Sequence, residues 1–207
     1  MAASLPAKSS RNGVESEETR QRLLRSASEV FAEHGFHGAT VREICNRARV
    51  NLALVNYHFG DKLELYTEVL RGVMNDPERL REMRELFAQN DAPEQRLRRL
   101  IHALLNLALR RRERGPTHMR LMLHELARPT PAIARVVDEI VKPMHDRLRD
   151  LLGQILGLPA EHEKTRMCAQ SIIGQVVHYA HHLPVISRLW PELTMTPGSR
   201  YAVLPGS

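Results

Sequence analysis

Apolar residues recur along this chain at helical spacing, and strand-like alternation bounded by turn pairs is nearly absent. Leu23, Ala27, Val30, Phe31 and His34 share one face of a stretch that Ser16 caps and Gly35 ends, which predicts a helix over residues 16–34. Val41, Ile44, Cys45 and Ala48 follow at i, i+3, i+4 and i+7, and Thr40 with Glu43 ahead of them makes a capping box. Asn51 is placed to cap a second short helix, in which Val55 and Phe59 share a face and Gly60 suits a left-handed end. Asp61 with Glu64 repeats the capping box for a helix over residues 61–74, with Leu63, Tyr66, Leu70 and Val73 apolar.

The second half continues the same pattern. Asp76-Pro77 opens a helix that runs to about Gln89, and residues 90–93 break the chain. A long helix over 93–114 carries Leu97, Leu100, Ile101, Leu104, Leu105, Ala108 and Leu109 on its apolar side, and Gly115-Pro116 ends it. A short helix follows over 117–127. Residues 131–156 read as helical with Pro143 inside, and a proline there should kink or split the helix near Val141. The last strong helix spans 161–186. Its apolar positions form two adjoining stripes, Cys168, Ile172, Val176, Tyr179 and Leu183 beside Ala169, Ile173, Val177 and Ala180. So wide an arc must bury more than one face. Small Ser171 and Gly174 permit close helix approach, so a second copy of the chain is the expected partner for one face.

The fold class is therefore all-α, in four parts. Residues 1–15 form a disordered tail, rich in Ser, Ala, Lys and Arg, with Lys8 and Arg11 able to touch DNA phosphates or simply to face solvent. Residues 16–74 form a helix-turn-helix domain and residues 76–193 a larger helical regulatory and dimerisation domain. Residues 194–207 form an irregular tail, since Pro197, Gly198, Pro205 and Gly206 oppose a helix.

Composition narrows the function without naming it. The chain has 207 residues, 43% of them hydrophobic and only 4% aromatic, enough for a core. A net charge of +6 and an isoelectric point near 9.8 permit nucleic acid as a partner. Cys45 and Cys168 both fall within apolar helical stripes, as free thiols in a reducing cytoplasm would. A run of about 18 apolar residues and a leader are both absent, so a soluble cytoplasmic protein with no membrane partner is expected.

Residues 40–62, TVREICNRARVNLALVNYHFGDK, are a helix, a tight turn, a helix and the start of a third. The wording resembles the DNA-binding module of TetR/AcrR-type transcriptional regulators: a Thr-capped helix, AxVN ending at Asn51, then NYHFGDK ending at Lys62, then Leu65-Tyr66. The resemblance runs from Glu17 to about Val73. Arg49 departs from it, standing where the family usually has Gly. HELARPTPA, VVDEIVKPMHDRL, SIIGQVVHYAHH and RLWPEL resemble the CecR-like subgroup, although that subgroup usually ends in a further helix after WPEL. The resemblance implies a ligand-responsive repressor that binds a double-stranded DNA operator as a homodimer and releases it on binding a small-molecule effector. Without the final helix, a smaller and weaker dimer interface is expected.

Side-chain chemistry suggests the division of labour. Thr40, Tyr57, His58 and Lys62 each offer a donor to a phosphate. Asn51, Leu52, Ala53 and Asn56 face the groove floor, where Asn pairs with adenine and Leu or Ala meets a thymine methyl. His118, Met122 and His178 are candidate lining for an apolar or amphipathic effector, the alternative being plain core. His124-Glu125 lacks the second His of a zinc protease, because Arg128 stands at i+4. His178, His181 and His182 have metal-compatible spacing but no Cys or carboxylate on the same turn. Neither metal nor cofactor is expected, and no catalytic set stands out. A helix-bundle adaptor that uses the helix pair for a protein partner is the alternative reading, followed by a helical enzyme; an adaptor would show no salt-dependent DNA binding.

Overall fold

The computed structural model describes residues 8–75, Arg81, 91–113 and 116–191, and every regular element among them is a helix. The first, α1 (Lys8–Gly38), begins eight residues before the expected cap at Ser16. A helix once nucleated gains a hydrogen bond for each residue added, and no proline lies between Lys8 and Ser16 to stop that growth. Gly35 does interrupt it, at φ 67° and ψ 176°, after which one more turn reaches Gly38.

Next come α2 (Val41–Ala48), α3 (Leu52–Phe59) and α4 (Lys62–Met74). The expected helix over residues 76–89 and the tail over 194–207 lie outside the described residues. After these come α5 (Pro93–Glu113), α6 (Pro116–Ala127) and α7 (Pro131–Val136). The Pro143 effect appears as a π-turn, Val137–Val141, ahead of α8 (Lys142–Leu156). A proline has no N–H and its ring crowds the carbonyl four residues back, so the regular α-helical hydrogen bonding is interrupted there and resumes at Lys142. The last helix, α9 (Glu163–Leu189), is capped by His162, whose Nδ1 accepts from the Lys164 N–H at 3.2 Å.

These helices form two compact units, one holding the described residues up to Met74 with Met119–Val136, the other holding the rest. In the first, α1 contacts α2 and α4, α2 contacts α3, and α3 contacts α4. Leu23, Ala27, Val30 and Phe31 are buried with Ile44 and Cys45, Val55, and Leu65, Tyr66 and Leu70. Phe31 and Tyr66 pack with ring centroids 4.6 Å apart, and Phe36 joins them at 5.1 Å from Tyr66. The buried face of α4 is centred on Leu65, Tyr66, Val69 and Leu70; Leu63 and Val73 are half-buried at its edges.

Residues 119–136 complete this unit. Helix α7 packs on α4, with Ala132 and Val136 buried. Buried Glu125 accepts from the Thr130 N–H at 2.9 Å and from its hydroxyl at 3.0 Å, clasping the turn between α6 and α7. Arg135 on α7 pairs with Glu64 on α4.

In the second unit Leu100 and Leu104 of α5, Leu148, Leu151 and Leu152 of α8, and Ala169 and Val176 of α9 form the core. Cys168, Ile172 and Ile173 pack against it. Over the first half of α9 both predicted stripes therefore turn inward, contrary to the expected division into a core face and a partner face. Among the described residues of α9, Met167, Val177, Val185 and Leu189 are the large apolar side chains that face outward. No helix among the described residues is long and apolar enough to cross a membrane.

Candidate nucleic-acid interface

The α2–α3 pair is built by local hydrogen bonds. Thr40 Oγ1 accepts from the Glu43 N–H at 3.2 Å, so half of the capping box forms. The Glu43 carboxylate turns the other way, to His34 Nε2 at 3.3 Å and Arg47 at 3.4 Å. Arg47 also holds Glu33 through both carboxylate oxygens, at 2.8 and 2.9 Å. That hydrogen-bonded guanidinium keeps the Glu33 carboxyl below its usual range.

Arg49 ends α2 in the left-handed region, φ 55° and ψ 48°. Its N–H donates to the Asn46 carbonyl at 3.2 Å, and the Val50 N–H donates to Cys45 at 3.0 Å. The turn thus needs positive φ, as the Gly usual in the resembled family implied, and Arg costs on the order of 1 kcal/mol there relative to Gly. Asn51 Oδ1 then accepts from the Ala53 N–H at 3.0 Å and opens α3.

Helix α3 buries Val55 and Phe59, and its other face looks out. Asn51, Leu52, Ala53, Asn56 and Tyr57 are all exposed, Leu52 by 43% and Tyr57 by 76%. The Asn51 oxygen is engaged as a cap, whereas the Asn56 amide has no side-chain partner among the described residues. The Tyr57 and His58 rings meet edge-on at 5.0 Å, with His58 half-buried. Thr40 is exposed at the start of α2.

Lys62 opens α4, where Asp61 Oδ1 accepts from the Glu64 N–H at 2.8 Å. The Lys62 ammonium lies 4.8 Å from the centroid of the Phe36 ring. Partial burial pushes its pKa down, and no carboxylate faces it among the described residues. Arg42, exposed beside Thr40 and without a side-chain partner among the described residues, adds a cation that the sequence reading did not single out. Its signal was present: a basic residue in the first turn of a helix, where the helix dipole disfavours one.

Other groupings are less suggestive. Glu33, His34 and Glu43 bring three possible metal-ligand atoms within 4.8 Å of one another, but Arg47 already occupies both Glu33 oxygens. Of the effector candidates, Met122 belongs to the first unit, His118 and His178 to the second. His178 is exposed and stacks on His182 with centroids 4.8 Å apart. An open groove of about 400 Å³ in the second unit is lined by His145, Arg149, Glu163, Arg166, Met167 and Gln170, none of them among those candidates.

Residues 23–69, which contain this helix pair, match the family model of bacterial regulatory proteins of the tetR family. Residues 93–203 match the C-terminal domain of the HTH-type transcriptional dual regulator CecR. The chain belongs to the TetR family.

This TetR-family chain is 32% identical over 172 residues to the HTH-type transcriptional activator FasR of Mycolicibacterium smegmatis, covering 83% of the chain and 74% of FasR. It is 26% identical over 173 residues to CecR of Shigella flexneri, covering 80% of the chain and 77% of CecR. Its fold resembles that of AibR solved with isovaleryl coenzyme A and operator DNA, with a TM-score of 0.58 at 20% identity, covering 88% of the chain and 90% of AibR. As a TetR-family member the chain is a DNA-binding transcriptional regulator, with a helix-turn-helix domain followed by a helical domain.

Proposed function

We propose that the chain binds operator DNA as a homodimer, with α3 in the major groove, and leaves it when a small molecule binds its helical second half. The observation that carries this is the outward face of α3, where Leu52, Asn56 and Tyr57 stand exposed while Val55 and Phe59 anchor the helix beneath. Thr40, Tyr57, His58 and Lys62 hold phosphates, and exposed Arg42 joins them. Leu52 and Ala53 meet thymine methyls, and Asn56 reads adenine with its side-chain amide, the oxygen accepting from N6–H and the NH2 donating to N7. Asn51 chiefly sets the entry angle of α3, because its oxygen is engaged in the cap.

The AibR complex, with its acyl thioester and operator DNA, supports an effector-responsive role for a protein of this fold. Of the effector candidates, half-buried His118 in the second unit is the favoured contact; His178, being exposed, suits the dimer face better. The outward apolar residues of α9 and the open space above Gly174, where a Cβ would meet nothing within 4 Å, support a two-fold partner on that helix. Repression follows where a bound dimer blocks a promoter. Activation is the second reading, favoured by the naming of FasR.

Selection of bound fragments from a genomic pool identifies the operator. On it, Asn56→Ala changes the preferred base at a cost of about 1–3 kcal/mol. Lys62→Ala weakens all sequences alike and lowers the salt slope by about one. Equal losses by both variants on specific and random DNA would sink the assignment.

A further inference from the structure

We infer that Arg49 is a DNA-anchoring residue, its guanidinium binding a backbone phosphate beside the groove that α3 enters. The inference rests on the DNA-binding role of α2 and α3 and adds a residue to it. Among the described residues, Arg49 is the one non-glycine with positive φ, at 55°; the others with positive φ are Gly35, Gly60 and Gly157. The turn accepts a side chain that its backbone disfavours, and strain of this kind points toward a functional demand on the side chain.

No ion pair or side-chain hydrogen bond among the described residues accounts for that side chain. Arg49 is exposed, and its guanidinium has neither an ion pair nor a hydrogen bond among the described residues. Two residues earlier, Arg47 is closed on Glu33 and Glu43. Glu43, the carboxylate nearest in sequence, is directed to His34 and Arg47 and leaves the turn uncompensated. The turn therefore projects an unneutralised cation.

Its position suits a phosphate. Arg49 stands two residues before Asn51, the cap of α3, and two residues of chain span at most about 7 Å. A recognition helix presents its N-terminal residues to the base edges, so the strands flanking that groove lie within reach of a long side chain on the preceding turn. A guanidinium meets phosphate oxygens through two parallel hydrogen bonds, which neither Gly nor Asn reproduces.

The test uses the full chain on a mixed-sequence duplex about 30 base pairs long, titrated over a range of salt. Arg49→Gly and Arg49→Asn, both suited to the left-handed region, should melt no lower than the parent protein. Both should bind roughly three- to tenfold more weakly at low salt, with the log–log salt slope reduced by about one. Arg49→Lys should restore the slope. Unchanged affinity and slope in both variants, with the parent's salt dependence intact, would overturn the role of Arg49 alone. A lowered Tm in both would overturn it too, by revealing a structural partner. A parent protein with no salt-dependent binding would overturn the DNA reading of the helix pair together with this inference.

Discussion

The imidazole of His124 packs into the break that Gly35 makes in α1. A Cβ at Gly35 would come 3.0 Å from Nδ1, while Nε2 lies 3.2 Å from the Ala32 carbonyl, to which it donates when it carries the proton. The missing side chain at Gly35 thus serves twice. It permits φ of 67°, and it makes room for a ring from a helix some ninety residues later in the chain.

Gly35→Ala should therefore destabilise the protein by about 1–2 kcal/mol from the backbone alone, and further through the His124 contact. His124→Ala in the same chain should recover the contact part but not the backbone part. A double-mutant cycle followed by urea denaturation should give a coupling of about 0.5 kcal/mol or more. Strict additivity would show that the ring is not what Gly35 accommodates.

Glu125 and Thr130 are only 4% and 6% exposed, and the carboxylate takes two hydrogen bonds from one residue. Glu125→Ala leaves a buried N–H and a buried hydroxyl unpaired and should cost about 2–4 kcal/mol. Thr130→Val removes one of the two bonds and should cost about 1 kcal/mol. Equal losses for the two variants would show that the backbone bond contributes nothing.

Tyr66 is fully buried, and no hydrogen bond of good geometry closes on its hydroxyl. Burial first, then the neighbouring Glu125 carboxylate, push its ionisation above the usual value of 10.0. Above about pH 10 the unfolded chain releases this proton and the folded chain keeps it, so stability falls as pH rises. Below that range the effect vanishes. Tyr66→Phe should flatten the alkaline decline in stability measured from pH 9 to about pH 12. An identical decline in both proteins would assign it to other groups.

Val177 is 48% exposed on the outward face of α9, and Gly174 has open space above it. Val177→Glu or Gly174→Trp should weaken self-association at least about tenfold, because a two-fold axis meets each substitution twice. Sedimentation over a concentration series would show this, and operator affinity should fall in parallel. Unchanged self-association in both variants would contradict a two-fold contact through this face.

Capping and periodicity were legible in the chain because they act within about one or two helical turns. Thr40, Asn51 and Asp61 each cap the helix they precede. Val55 and Phe59 turn inward, and the family wording places the chain among TetR regulators. Even the awkwardness of Arg49 could be read from the turn it occupies.

What only the tertiary structure decided were choices among competing partners. Glu43 had the spacing of a capping box but found His34 and Arg47 across α1 and α2. The two stripes of α9 were equivalent by periodicity until α5 and α8 covered parts of both. Residues 119–136 carry no local mark of belonging with the first unit; Leu121, Ala132 and Val136 fit an apolar face anywhere. Their place is set by a ring filling the gap at Gly35, a carboxylate near Tyr66 and an ion pair to Glu64. Such contacts depend on shape and partner across long stretches of chain, and periodicity, which records only that a face is apolar, is silent about what will cover it.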